Sequence, residues 1–153
     1  MAIWLTKWED MNPIHAARVL CGLATLEHHN VKVVIPNNGG KRTDNQQIAL
    51  YVQGRQPLDV VNAKRKLAGW GALDPDDNTY TVTDDDGVKN KSKHQLGLAT
   101  DICPDNGKGQ PCWPPQDDPR WKVIHDAMTD QGLISGLDWI DFPDPSHYES
   151  KGV

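Results

Sequence analysis

The chain has 153 residues, a formal net charge of −5, 37% apolar and 24% charged residues, and a pI near 5.6. That length suits one domain with a real core. No Lys/Arg stripe is available to neutralise phosphates, which argues against nucleic acid as a partner, and no apolar run is long enough to cross a bilayer.

The N-terminal apolar run is short and ends at Glu9 and Asp10, unlike a secretory signal. Synthesis as a soluble cytoplasmic protein is therefore expected. Asn12-Pro13 reads as a helix start, a cap residue followed by proline at the first helical position. Apolar residues then recur at Ile14, Ala17, Leu20, Cys21, Leu23 and Ala24, a helical stripe that fades at His28-His29. Those two histidines are adjacent, so on a helix they face different ways and make a poor ligand pair. Residues 31–35 are rich in β-branched side chains and predict a strand, followed by a Pro-Asn-Asn-Gly-Gly turn. Residues 43–53 predict a second helix ending near Gly54.

From 57 to 90 the sequence is acidic and harder to read. A basic helical piece near 60–67 carries Lys64-Arg65-Lys66, a solvated face, and residues 79–83 alternate like a strand or hairpin arm. Asp74, Asp76 and Asn78 sit at the first ligand offsets of a Ca²⁺ loop. The glycine at its sixth position and the glutamate at its twelfth are missing, so a solvated acidic turn is the simpler reading. Asp118-Pro119 opens a further helix closed by Gly132, with Trp121, Ile124 and Met128 on one face and His125 as a helix-face residue. Residues 137–142 predict a last strand.

Cys21, Cys103 and Cys112 make an odd count without a CxxC pair, which argues for reduced thiols. Cys103 and Cys112 could close a small loop in an oxidising compartment. Six tryptophans against one phenylalanine suggest indoles lining a polar cleft as well as filling a core.

The chemistry concentrates in two segments. Ser92-Lys93-His94-Gln95-Leu96-Gly97-Leu98-Ala99-Thr100-Asp101 has a small, apolar spacer suited to a tight backbone pass, with His94 at its entrance and Asp101 inside a buried strand. Asp144-Pro145-Ser146-His147-Tyr148-Glu149 supplies a second imidazole and more carboxylates. A hydrolytic Zn²⁺ site needs three protein ligands, an open position for water, and a nearby carboxylate that is not a ligand. His94, Asp101 and His147 fill the ligand roles and Asp144 the base role, with Asp141 and Glu149 as alternative bases. Arg42 and Arg55 are the candidate cations for charge developing on a carbonyl oxygen.

These residues resemble a known family, the M15 zinc peptidases, which includes D-Ala-D-Ala carboxypeptidases and dipeptidases and the L-alanyl-D-glutamate endopeptidases of phage endolysins. One block is Lys41-Arg42-Thr43 with Gln46/Gln47 and Leu50-Tyr51-Val52-Gln53-Gly54-Arg55. A second is Ser92-x-His94-x-x-Gly97-x-Ala99-x-Asp101. A third runs from Trp121 through Gly132-Leu133, Gly136 and Trp139 to Asp144-x-x-His147. The resemblance implies one Zn²⁺ on His94, Asp101 and His147, with Asp144 as general base. It also implies Arg42 at the substrate carbonyl or oxyanion, and Ser92 and Arg55 as substrate-binding residues. Taken alone, Arg55 could pair with a helix-end carbonyl and Ser92 could cap a turn.

The fold it implies is α+β, with N-terminal helices packed on a small antiparallel sheet bearing a zinc cleft, as in Hedgehog-type and DD-peptidase domains. The whole of 1–153 would be one catalytic domain with an acidic insertion at about 57–90. The expected partner is bacterial peptidoglycan, without stable membrane insertion, and a monomer is expected. Lacking an export signal or wall-binding module, the chain is similar to a phage endolysin made in the host cytoplasm and released to the wall by a holin-type lesion. That favours cleavage of L-Ala–D-Glu, with D-Ala-D-Ala carboxypeptidase or dipeptidase activity, or a non-catalytic zinc-stabilised wall-binding module, as alternatives.

Overall fold

The computed structural model describes residues 3–4 and 7–152. In chain order the elements are β1 (Ile3–Trp4), α1 (Pro13–His28), β2 (Val33–Ile35), α2 (Asp44–Val52) and α3 (Leu58–Leu67). There follow β3 (Ala99–Asp101), β4 (Cys103–Pro104), α4 (Pro119–Thr129), β5 (Ile134–Ser135) and β6 (His147–Glu149). They fall into two compact units, Met1–Lys41 with Leu96–Val153, and Arg42–Gln95.

The first unit holds both sheets. Its helices start where the sequence places caps. The Asn12 side chain accepts the N–H groups of Ile14 and His15, and Asp118 accepts that of Arg120, each with proline next in the chain. From α1 come Val19, Leu23 and Leu26, and from α4 Trp121, Ile124, Ala127 and Met128. They share one buried cluster with Val33, Ile35, Ile102, Cys103 and Tyr148. Each fully buried side chain of this size is worth roughly 1.5–3 kcal/mol.

The buried stripe of α1 is rotated from the one the sequence suggests. Ile14 and Leu20 are exposed, whereas His15 is fully buried. The reason is polar: the His15 ring lies 2.9 Å from both the Ser150 and the Thr100 hydroxyls. A histidine with both ring nitrogens satisfied can occupy a core position that an apolar count assigns to its neighbours.

The expected single antiparallel sheet is instead two three-stranded sheets. In the first, ordered β1-β2-β4, β1 runs parallel to β2 and β2 antiparallel to β4. In the second, β3-β6-β5, both pairs are antiparallel, and Asp101 lies directly opposite His147. The strand predicted over 137–142 is absent. Ile134–Ser135 is the strand, and Gly136–Asp138 is a 3-10 turn. The segment beyond it leaves Ile140 and Phe142 exposed, so its apolar residues fill no core.

His125 on α4 bridges two carboxylates, Asp126 at 2.9 Å and Asp138 at 3.0 Å. Burial pulls its pKa down, but those two hydrogen bonds outweigh it and leave it above the ordinary histidine value. A pKa raised in the folded state stabilises most below the unfolded value, about 6.5, and that contribution is lost as pH rises through the folded pKa. His125→Gln is therefore expected to cost more stability at pH 6 than at pH 9, by about 1 kcal/mol or less because the partner carboxylates are more than half exposed. Denaturant titrations of both proteins at the two pH values measure it.

The second unit is a helical pair with a long loop. Thr43 and Gln46 form a complete capping box at the start of α2, which explains these two residues of the first block on structural grounds. Residues 79–83, expected as a strand, form none: Asp76–Thr79 is a 3-10 turn and the stretch after it pairs with no strand. Side chains take the place of a ladder. Arg55 donates to the Thr83 carbonyl and Gln47 to the Asp85 carbonyl. Asn78 is equally occupied, accepting from the Gly54 N–H and donating to the Gln56 carbonyl. Its side chain thus holds the loop, and among the described residues no acidic cluster in this segment gathers to suit Ca²⁺.

Candidate metal centre

Asp101 reaches the site because β3 is anchored on both edges. It pairs with β6, and the Asp101 N–H donates to the Gly39 carbonyl at 2.7 Å. Upstream, Gly97 adopts φ +69° where a Cβ would lie 3.1 Å from the Asn12 backbone nitrogen, the tight pass that the glycine permits. His94 is held through its carbonyl, which accepts the Arg42 N–H at 3.2 Å. His147 opens β6, with its ring 5.0 Å from that of Trp139.

One ligand atom from each of His94, Asp101 and His147 lies within 4.8 Å of the others, and this is the one such group among the described residues. Two imidazole nitrogens and a carboxylate oxygen are the donor types of a hydrolytic zinc site. The surroundings favour positive charge there. Burial depresses the His147 pKa, but hydrogen bonds to Asp101 and Glu149, helped by the charge of Asp144, hold it up at about 9. The residues therefore fit a divalent cation.

The family model described as D-alanyl-D-alanine carboxypeptidase, of the M15 peptidases, matches residues 86–150, the segment that supplies all three ligands. Over that segment the chain is similar to the M15 peptidases. Its fold is shared with solved structures at 18% identity. One is a mutant of the vancomycin-resistance D,D-pentapeptidase VanY from a VanB-type cassette, in complex with Zn(II). The match has a TM-score of 0.57 and covers 93% of this chain and 73% of that one. Another is VanYB in complex with D-alanine-D-alanine, with a TM-score of 0.55, covering 93% and 72%.

Asp144 sits in the turn that leads to His147, whose N–H donates to the Asp144 carbonyl at 3.2 Å. Its Oδ1 accepts from the Ser146 N–H at 3.2 Å and from the Ser146 hydroxyl at 2.8 Å, so the carboxylate is held by its own loop. Gly136 lies under this turn, and its carbonyl accepts the Asp144 N–H at 2.9 Å. A Cβ there would come within 2.5 Å of the Asp144 carbonyl oxygen and 3.1 Å of the His147 Cβ. Gly136→Ala must move that backbone, and a displacement near 1 Å can cost about 10²-fold in rate. The expected result is at least a tenfold loss of kcat/KM in a protein that still folds, read by steady-state kinetics and circular dichroism.

The remaining predicted residues divide. Arg42 and Ser92 both meet Gln47, Arg42 through Nη1 at 3.5 Å and Ser92 through its hydroxyl at 3.0 Å. Arg55 has other work. Its guanidinium donates to the Tyr51 and Thr83 carbonyls and to Asp84, each at 2.8 Å, and stacks over the Tyr51 ring. That arrangement ties the acidic loop to α2, the helix-end role that residue spacing also allowed. Cys21, Cys103 and Cys112 are free thiols, and burial followed by the charge of Asp101 raises the Cys103 pKa far above the ordinary range. Sequence reasoning placed Gln47 in the first block without a role and missed Ser146; these residues hold Arg42, Ser92 and Asp144. The signal for their roles was position: Gln47 lies one turn inside a capped helix, and Ser146 two residues after an aspartate.

Proposed function

We propose that the chain hydrolyses the stem peptide of bacterial peptidoglycan, with the terminal D-Ala–D-Ala bond as its target. The observation that carries this reading is the gathering of His94, Asp101 and His147 inside the segment matched to a D-alanyl-D-alanine carboxypeptidase family. The D-alanine-D-alanine bound in the VanYB structure supports the same substrate class. Together they favour the terminal bond over the L-Ala–D-Glu bond that the endolysin resemblance implies.

In this reading His94, Asp101 and His147 hold Zn²⁺, which when bound supplies Lewis acidity toward the carbonyl and a lowered pKa for water. Asp144 takes the proton of the attacking water and returns it to the leaving amine. Ser146 keeps that carboxylate aimed by engaging Oδ1 alone. Arg42 stabilises the negative charge that develops on the carbonyl oxygen, and Ser92 contributes to holding the substrate. Arg55 is assigned to holding the acidic loop against α2.

The test is to incubate the protein with purified sacculi and with a soluble pentapeptide stem, with chelator and then with zinc restored. Free D-Ala dependent on zinc supports the proposal. New D-Glu amino termini would return the assignment to the L-Ala–D-Glu endopeptidase and the endolysin setting. A folded, zinc-bound protein that releases neither would make it a wall-binding module.

A further inference from the structure

We propose that Glu149 is the positioning carboxylate of the metal centre, fixing which nitrogen of His147 is offered to the metal. This rests on the zinc reading of the site and adds to it a residue outside the ligand set. Glu149 Oε2 lies 3.1 Å from His147 Nε2, while His147 Nδ1 faces Asp101 Oδ1 at 3.5 Å. An ionised carboxylate only accepts hydrogen bonds, so Nε2 must carry the proton in this contact. A metal bound in place of the Nδ1 proton would then meet a neutral imidazole whose lone pair sits on Nδ1, on the side of Asp101.

The strand enforces this geometry. Residues two apart on β6 project to the same face, so His147 and Glu149 are neighbours there, while Tyr148 points the other way into the core. Directly across from Glu149 in the ladder is Ala99, whose small side chain leaves space for the carboxylate to turn back along its own strand. The Glu149 side chain is only 19% exposed, so its bond to the ring is poorly replaced by water. The Trp139 ring packs against the same imidazole and limits its rotation. A carboxylate behind a ligating histidine raises the basicity of the ligand and orders its ring. Glu149 is therefore committed to His147, which removes it from the alternatives to Asp144 as base.

The experiment measures zinc itself, by competition with a chromophoric chelator, on the full chain stripped of metal. Glu149→Ala is expected to bind zinc about 10–100-fold more weakly than the unaltered protein. Glu149→Gln, whose amide oxygen still accepts from Nε2, should recover most of that loss. Nitrogen-15 spectra of the zinc-loaded unaltered chain should show His147 protonated at Nε2 and metallated at Nδ1, a readout that depends on no variant. Equal zinc affinity in Glu149→Ala overturns the proposal. So does metallation at Nε2, or a loss of turnover in Glu149→Ala with affinity intact. If the unaltered chain itself binds no zinc, it is the underlying reading of the site that fails.

Discussion

Replacing Asp144 by alanine is expected to lower turnover by about 10²–10⁴-fold, the usual contribution of a positioned general base, with zinc affinity unchanged. The separation of the two effects follows from geometry. Asp144 is not among the three residues whose ligand atoms cluster within 4.8 Å. The turn that connects it to His147 is made by its backbone carbonyl, which alanine retains. What alanine removes is the carboxylate that Ser146 holds through Oδ1. Asp144→Asn sharpens the test, because the amide oxygen can still accept from Ser146 but the side chain cannot take a proton at neutral pH. Both variants should be equally inactive. A near-normal rate in Asp144→Ala would transfer the base role to Asp141, since Glu149 is engaged with the His147 ring, and Asp141→Ala would then be the inactive variant.

The helices were legible because helix signals are local. Asn12 before Pro13, Thr43 three residues before Gln46, and Asp118 before Pro119 each satisfy backbone donors within one turn, and each starts a helix as expected. The strands were legible only in part: residues 31–35 and the segment ending at Asp101 hold β2 and β3 as expected, but among the described residues none exceeds three residues, and alternation needs more length than that to show. Residues 79–83 illustrate the failure: the alternation is present, but no partner strand lies among the described residues to use it, and Gln47 and Arg55 satisfy the backbone instead. The ligand set could be read from residue type and order in Ser92–Asp101 and Asp144–His147. Its supporting shell could not. That Glu149 lies against His147, or that Gly136 lies under Asp144, depends on register and on which loops meet. His15 shows the same limit from the core side, since only its distant partners Thr100 and Ser150 explain its burial.

Removing zinc is expected to abolish turnover without unfolding the chain, and restoring it should recover activity and raise Tm. The apolar cluster of the first unit, from Val19 and Leu26 through Ile124 and Met128 to Tyr148, includes none of the three ligands. The fold therefore does not depend on metal in the way a zinc finger does. Binding still stabilises by mass action. At free zinc about 100 times Kd the gain is about 2.7 kcal/mol. For a domain of this size that corresponds to a Tm rise of roughly 5–10 °C. Asp101→Ala should abolish both the shift and the activity, because it removes the only carboxylate of the ligand set while leaving the β3–β6 backbone ladder in place. Thermal melts across a zinc titration, run beside the peptide assay, separate the possibilities. Activity that needs zinc while Tm ignores it would mean that the ion binds too weakly to be resident at this site. A chelated protein that unfolds outright would mean that His94, Asp101 and His147 hold the structure together as well as the metal.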